Sequence, residues 1–283
     1  MPPRFAELFP KYRQQLGRVE SLLESLVLPS NRLYLSSISD GDLAVGASRL
    51  GGRPDVPEGF KWPRWEGGES GPTPLSFIAQ FDLSTLPETA GLPEAGWLLF
   101  FYDALNQPWG YEPTDQGSSV VLYVAPGKKL HRVDFPEKSP PGERAWEDAT
   151  GFTPCSFRAV VEDTLPESLP NPDGRWDVSY SKLREELGGI VPKQANWSEP
   201  DMHRLLGWPD LLQNDMREEL QQLFPRGSDW MLLLQVDSPR DDRWRARRQD
   251  PQWGSGGRIY FWIQRKDLAA RRFDRIWTIL QCT

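Results

Sequence analysis

The sequence contains little from which to build a redox, metal or nucleotide site. Two cysteines, Cys155 and Cys282, and two histidines, His131 and His203, are all that 283 residues offer. The cysteines lie far apart and in no metal-ligand spacing, so no zinc cluster is expected and no metal is implied. With no secretory feature beside them, both are expected to remain reduced thiols. The chain has no P-loop, no Gly-x-Ser-x-Gly elbow and no Gly-x-Gly-x-x-Gly leading into a helix, the signatures of phosphate, acyl and dinucleotide chemistry. Gly254-Ser-Gly-Gly257 precedes a strand-like run and so lacks the helix N-terminus that holds phosphate. No cofactor is expected.

Positive charge is also short. Lys and Arg total 33 against 40 Asp and Glu, a net charge of −7, which argues against nucleic-acid binding. Arg240 to Arg248 is basic but mixed with acids; it reads as a solvated loop, with an anion site as the alternative. No stretch approaches the roughly 20 apolar residues of a membrane span. Met1 to Pro10 lacks the apolar region of a signal peptide. A cytoplasmic location without membrane or nucleic-acid contact is therefore expected.

The chain is rich in turn formers, with 27 prolines and 24 glycines, and in tryptophan, with 13. Trp97, Trp230, Trp262 and Trp277 sit in apolar runs and read as core plugs. Trp62, Trp65, Trp109 and Trp253 lie in polar, Pro- or Gly-rich stretches and are candidates for a binding surface.

The organising pattern is a repeat. Ser76 to Asp82 followed by Gly96 to Asp103 has the same order as Trp230 to Asp237 followed by Gly257 to Ile263: apolar run, Gln-x-Asp, loop, Gly, aromatic run. Upstream, Arg49-Leu-Gly-Gly-Arg-Pro-Asp55 and Arg204-Leu-Leu-Gly-Trp-Pro-Asp210 keep the same sequence separation as Gln80 and Gln235. We read an internal duplication. The expected architecture is α+β, with mainly antiparallel sheets in two pseudo-symmetric half-repeats. An N-terminal amphipathic helix (1–30) precedes a single domain (31–283), whose copies are 31–125 and 190–283 with a Pro-rich connection, 126–189.

Along the chain, spacings of three and four from Phe5 to Leu26 predict a helix over 4–27, with Pro10 placed to kink or divide it. Arg32–Ile38 and Leu43–Ala47 read as strands joined by a hairpin turn at Asp40-Gly41-Asp42. Arg49–Trp65 is expected to be a structured loop. Ser119–Val124, Phe157–Val161 and Trp277–Cys282 read as strands. Ser179–Leu187 and Leu211–Leu223 read as helices, and Asp267 is placed to N-cap a further helical turn. The connection is expected to pack as a flap over the core.

Three groups of side chains are candidates for chemistry. Residues two apart on a strand share a face, so Gln80 with Asp82, and Gln235 with Asp237, each present an amide beside a carboxylate. Brought together across a two-fold axis, the carboxylates would suit acid–base or glycosidase chemistry; otherwise each Gln satisfies backbone groups and each Asp caps the following turn. His203 has Glu199, Asp201 and Asp210 near it in sequence and reads either as a buried loop histidine or as one needing such a partner to function. Trp109 and Trp253, with the amides Asn106, Gln107 and Gln252, offer flat surfaces suited to sugars or peptides, or else fold back over the Gly-rich loop. The ligand groove is expected at the junction of the copies, including Trp109 or Trp253 and backed by Gln80 or Gln235.

These motifs are similar to those of the YwqG-like family of bacterial proteins, a family of unknown function. The matching stretches are Arg49-Leu-Gly-Gly-Arg-Pro54, Pro74 to Leu83, Gly96 to Asp103, His203 to Pro209, Leu232 to Asp237 and Trp253 to Ile263. The resemblance departs at Ser255, where the family pattern Trp-Gly-Asp places an acid; any chemistry of that acid would be missing here. What the resemblance implies is shared fold without an assigned reaction. The expected function is a non-catalytic binding or protein-interaction module with a protein or peptide partner. The alternative is a hydrolase acting on a sugar or peptide through Asp82 and Asp237.

Overall fold

The computed structural model describes residues 3–68, 72–88, 91–136, 151–169, 177–188, 201–227, 229–238 and 252–282. Strands β1 (Leu28–Ser37), β2 (Arg49–Leu50), β3 (Asp55–Pro57), β4 (Arg64–Trp65), β5 (Thr73–Pro74), β6 (Ser76–Asp82) and β7 (Trp97–Tyr102) come first. They are followed by β8 (Ser119–Val124), β9 (Leu130–Arg132), β10 (Cys155–Thr164), β11 (Arg204–Leu205), β12 (Trp230–Asp237), β13 (Arg258–Gln264) and β14 (Trp277–Gln281). Ten of them form one sheet in the order β14-β13-β12-β11-β1-β10-β2-β6-β7-β8. Every pairing is antiparallel, and β3–β9 and β4–β5 make two small ribbons. The longest strands, β1 and β10, lie side by side at the centre, in register from Leu28 against Thr164 to Ser37 against Cys155.

Apolar residues without strict alternation fill β6, β7, β12 and β13 because both faces of these strands are covered. One core cluster draws on both arms of the sheet, including Ile78, Phe81 and Phe100 from one and Leu233, Ile259 and Phe261 from the other. Phe100 meets Phe261 edge-on at 5.2 Å, and Tyr123 meets Phe273 at 5.8 Å. The sheet therefore curls until its arms face each other. The opposite face of each arm has its own cover. Val56 and Trp65 pack with Leu99 and Phe101. Met216 and Leu220 pack with Tyr260 and Trp262. Edge strand β14 is closed by the loop after β7: Leu280 N donates to Trp109 O at 3.0 Å. That approach requires glycine at 110, where φ is +79° and a Cβ would lie 2.0 Å from Thr278 O.

The N-terminal arm is helical but interrupted. α1 (Pro3–Leu8), α2 (Arg13–Leu16) and α3 (Glu20–Leu26) are separated by tight turns at Phe9–Tyr12 and Gly17–Val19. Pro10 lacks an N–H and Gly17 lowers helix propensity, which accounts for both breaks. The apolar stripe survives them. Phe5, Phe9, Leu16 and Leu23 pack on Tyr180, Leu183 and Leu187 of α4 (Asp177–Leu187), and Phe5 N donates to Asp163 Oδ2 at 3.2 Å.

Four local expectations are corrected. Leu43–Ala47 is not a strand, and Asp40–Asp42 is a single tight turn rather than a hairpin; the carbonyls of Leu43 and Ala44 are taken by the guanidinium of Arg132, and Arg49 also bonds Ala44 O. Within Arg49–Trp65 the short strands β2, β3 and β4 form. The helix expected from Leu211 begins only at α5 (Arg217–Leu223). Leu212 N and Gln213 N are tied to Gln281 Oε1 instead, and Asp215 accepts Arg217 N. Asp267 does not cap: α6 (Arg265–Ala269) starts after Gln264, and Asp267 ion-pairs with Arg275 at 3.5 Å. The strand expected at Phe157–Val161 of the Pro-rich connection forms and is longer, as the central β10; the flap expected of that connection falls largely on residues 137–150 and 170–176, outside the described residues.

Candidate functional site

Two polar constellations lie on the sheet, one on each arm. Arg49 faces Gln80 across β2–β6, and Arg204 faces Gln235 across β11–β12. Each Gln follows a bulge, between Phe77 and Ala79 in β6 and between Leu232 and Leu234 in β12. Gln80 Oε1 accepts from Asp55 N at 2.8 Å, while its Nε2 donates to Ala47 O and Asp55 Oδ2. Gln235 Oε1 accepts from Asp210 N at 2.8 Å, while its Nε2 donates to Met202 O and Asp210 Oδ2. Arg49 pairs with Asp55, and Arg204 pairs with Asp210 at 3.2 Å. Both amides are thus spent on backbone and carboxylate partners, and both are fully buried.

The two Asp residues meet different fates. Asp82 Oδ1 accepts from Ser84 N at 3.0 Å and Ser84 Oγ at 2.6 Å, capping the turn after β6. Asp237 is sealed inside the other arm, where Oδ2 accepts from Met202 N at 2.9 Å and the carboxylate pairs with Arg258. They share no hydrogen bond, and each already has donors of its own. A glycosidase-type pair requires two carboxylates addressing one substrate; here Asp237 is buried against Arg258 while Asp82 caps a turn.

His203 is 3% exposed, and its Nδ1 accepts the N–H of Asp237 at 3.2 Å, placing the proton on Nε2. In the other arm Ser48 Oγ does the same for Asp82 N at 2.8 Å. Burial pushes the His203 pKa down to about 4, with Arg32 and Arg258 adding to the effect and Asp237 opposing it. The imidazole is neutral near pH 7.

The loop aromatics separate. Trp253 is 0% exposed and packs edge-on against Tyr102 at 5.7 Å and Phe152 at 5.8 Å. The expectation that it lines a surface groove is therefore corrected: a large rigid ring beside a Gly-rich loop fills the core under that loop. Gln80 and Gln235, being buried, cannot back such a groove either. Trp109 is 46% exposed. Asn106 is exposed, with Nδ2 bonded to Asp103 Oδ2 at 2.7 Å. Gln107 bridges to the loop before β13, donating to Gln252 O and accepting from Gly254 N. Ser255 is exposed in that loop's turn. Arg240 to Arg248 lies outside the described residues.

Sequence reasoning missed the residues at the sheet centre. By strand alternation Arg32, Tyr34 and Ser36 share one face of β1, and Tyr34 is directly opposite Arg158 of β10. Tyr34 is 40% exposed in the middle of a ten-stranded sheet, and Ser36 and Arg158 are exposed beside it. Arg32 and Arg158 lie 5.8 Å and 5.1 Å from the Tyr34 ring centroid. Tyr34 Oη donates to Glu162 Oε1 at 3.1 Å, and Glu162 Oε2 accepts from Arg204 at 3.4 Å. Burial raises the Glu162 pKa against the pull of Arg204 and Arg32. The available signal was an arginine inside an otherwise strand-like run, Asn31-Arg-Leu-Tyr34.

Among the described residues no group of three or more His, Cys, Asp and Glu could hold a metal ion, and no helix is long and apolar enough to cross a membrane. Comparison with protein families matches residues 48–282 to a domain of unknown function, DUF1963. No curated protein matches the chain.

Proposed function

This chain belongs to the DUF1963 family of domains of unknown function, and we propose that it is a non-catalytic binding module assembled from a duplicated unit. The observation that carries the proposal is a contrast. Asp82, Asp237, Gln80 and Gln235, the side chains best suited to chemistry, are consumed by structural hydrogen bonds. Meanwhile Tyr34 and Arg158, at the centre of the sheet where cover is expected, stand open. The recognition surface in this proposal is the β1–β10 face, with a protein or peptide as partner.

Duplication is supported by the two Arg–Gln–Asp constellations, the two bulges and the sheet order, in which β2-β6-β7-β8 and β11-β12-β13-β14 run outward from β1 and β10. It is also supported by paired loop bonds, Leu83 N to Gly96 O and Ser238 N to Gly257 O, both at 3.0 Å. Gly51 and Leu206 share a φ of +65°, although only one is glycine. Narrower kinship with the bacterial YwqG-like proteins is part of the same proposal, supported by the Arg49, Gln80, Arg204 and Gln235 motifs. A cytoplasmic setting is part of the same proposal, supported by Cys155 and Cys282 not being joined in a disulfide.

The test is affinity isolation from the native host with the wild-type chain, Tyr34→Ala and Trp109→Ala. Trp109 and Asn106 form a separate exposed spot, beside edge strand β14. A partner kept by wild type and Trp109→Ala but lost by Tyr34→Ala, at unchanged Tm, is the expected result. Equal capture by all three, or no specific partner, refutes the proposed surface.

A further inference from the structure

Among the described residues, Arg32, Arg49, Arg204 and Arg258 are almost wholly buried. Three of them meet carboxylates: Arg49 pairs with Asp55 and Asp40, Arg204 with Asp210 and Glu162, Arg258 with Asp237. Arg32 is the exception. Its guanidinium, on a side chain only 3% exposed, makes a hydrogen bond from Nη2 to the backbone carbonyl of Asp201 at 2.6 Å, and Nε has no partner. Glu162, the acid on the neighbouring strand, is already engaged by Tyr34 and Arg204. A buried guanidinium whose nearest carboxylates, Glu162 and Asp210, act on it without a direct ion pair is disfavoured. Here it cannot swing out to water without giving up its hydrogen bond to Asp201 O. Burial, followed by the proximity of Arg204, lowers the Arg32 pKa against the pull of Asp210 and Glu162. The same stretch holds a second buried donor without a hydrogen-bond partner, His203 Nε2.

The geometry points to an oxyanion-binding site at the sheet centre, in which a carboxylate or phosphate group of a ligand supplies the direct ion-pair partner that Arg32 Nε lacks. Arg32 Nε is the inner donor, Arg158 the outer cation, and the exposed Tyr34 ring, which both guanidinium groups approach, the platform beside them. Guanidinium suits this task because its planar fork matches the oxygens of either group. The site rests on the β1–β10 surface proposed above and names the chemistry that surface selects.

The probes are sodium acetate and sodium phosphate, titrated against the full chain at constant ionic strength with chloride as reference, and read by Tm and by calorimetry. One or both oxyanions are expected to raise the wild-type Tm where chloride does not, and the probe that does so distinguishes carboxylate from phosphate. Arg32→Gln is expected to weaken that response roughly tenfold to a hundredfold, the size of a charge-assisted hydrogen bond. Without ligand, its Tm is expected to equal or exceed that of wild type, because a buried charge without a direct ion pair has gone. Arg158→Gln, at an exposed position, is expected to fold normally and to weaken the response severalfold; it decides the matter if Arg32→Gln does not fold. No wild-type response, or an equal response in the variants, overturns the site. If the oxyanion response is absent while Tyr34→Ala still loses its partner, the site falls and the surface stands.

Discussion

His203 offers a prediction whose size can be worked from its surroundings. Its ordinary pKa near 6.5 falls to about 4 in the folded chain because burial penalises the charged ring. The unfolded chain therefore binds a proton that the folded chain resists. Stability held above pH 6.5 is lost as the pH falls toward 4, at about 1.4 kcal/mol per unit, and the total approaches about 3 kcal/mol. Carboxylates contribute to the same pH range with the opposite sign where burial has raised them, as at Glu162 and Asp163, so the wild-type curve alone is ambiguous. Subtracting the curve of His203→Gln removes these common contributions. Urea unfolding at half-unit steps from pH 7.5 to 4.5 should show wild type losing stability relative to the variant, beginning near pH 6.5. Parallel curves would mean that His203 is solvated or charged in the folded chain, and the burial argument would be wrong.

The two loop tryptophans should separate cleanly in denaturant unfolding. Trp253→Ala is expected to cost about 3–5 kcal/mol as a fully buried ring, and Trp109→Ala less than about 1 kcal/mol; similar losses would contradict their assigned environments. Gln80→Ala and Gln235→Ala should each cost about 2–3 kcal/mol, since each leaves an Asp N–H and a carbonyl without a partner. A gap between those two values larger than about 1 kcal/mol would count against equivalent roles in a duplicated unit.

The strands β6, β7, β8, β12, β13 and β14 were legible because dense apolar and aromatic runs bounded by Gly and Asp leave few alternatives. Pairing across the sheet was less so. β1 reads locally as half of a hairpin with Leu43–Ala47, yet its neighbours are β10 and β11, far along the chain. Long-range pairing overrode the turn signal at Asp40-Gly41-Asp42. Gln80 and Gln235 stand out by their spacing, but their consumption by Asp55 N and Asp210 N depends on loop folding that spacing does not reveal. Trp253 was misplaced because a Gly-rich neighbourhood resembles an exposed loop whether or not it lies over a cavity needing a plug. Arg32 escaped notice because one arginine in a strand is ordinary until its partners can be inspected.

The strand exchange at the centre has a consequence for how the chain is made. β1 finds both of its ladder partners late, at Cys155–Thr164 and Arg204–Leu205, so a growing chain carries it with two open edges while the intervening residues are synthesised. At ribosomal speeds that wait is roughly 6–25 s, long compared with local helix or hairpin formation. Tyr34, Ser36 and Ser37 are exposed in the finished sheet, so β1 presents polar side chains to solvent throughout that interval instead of a sticky template. Polar placement of this kind protects unpaired edges from neighbours on the same polysome.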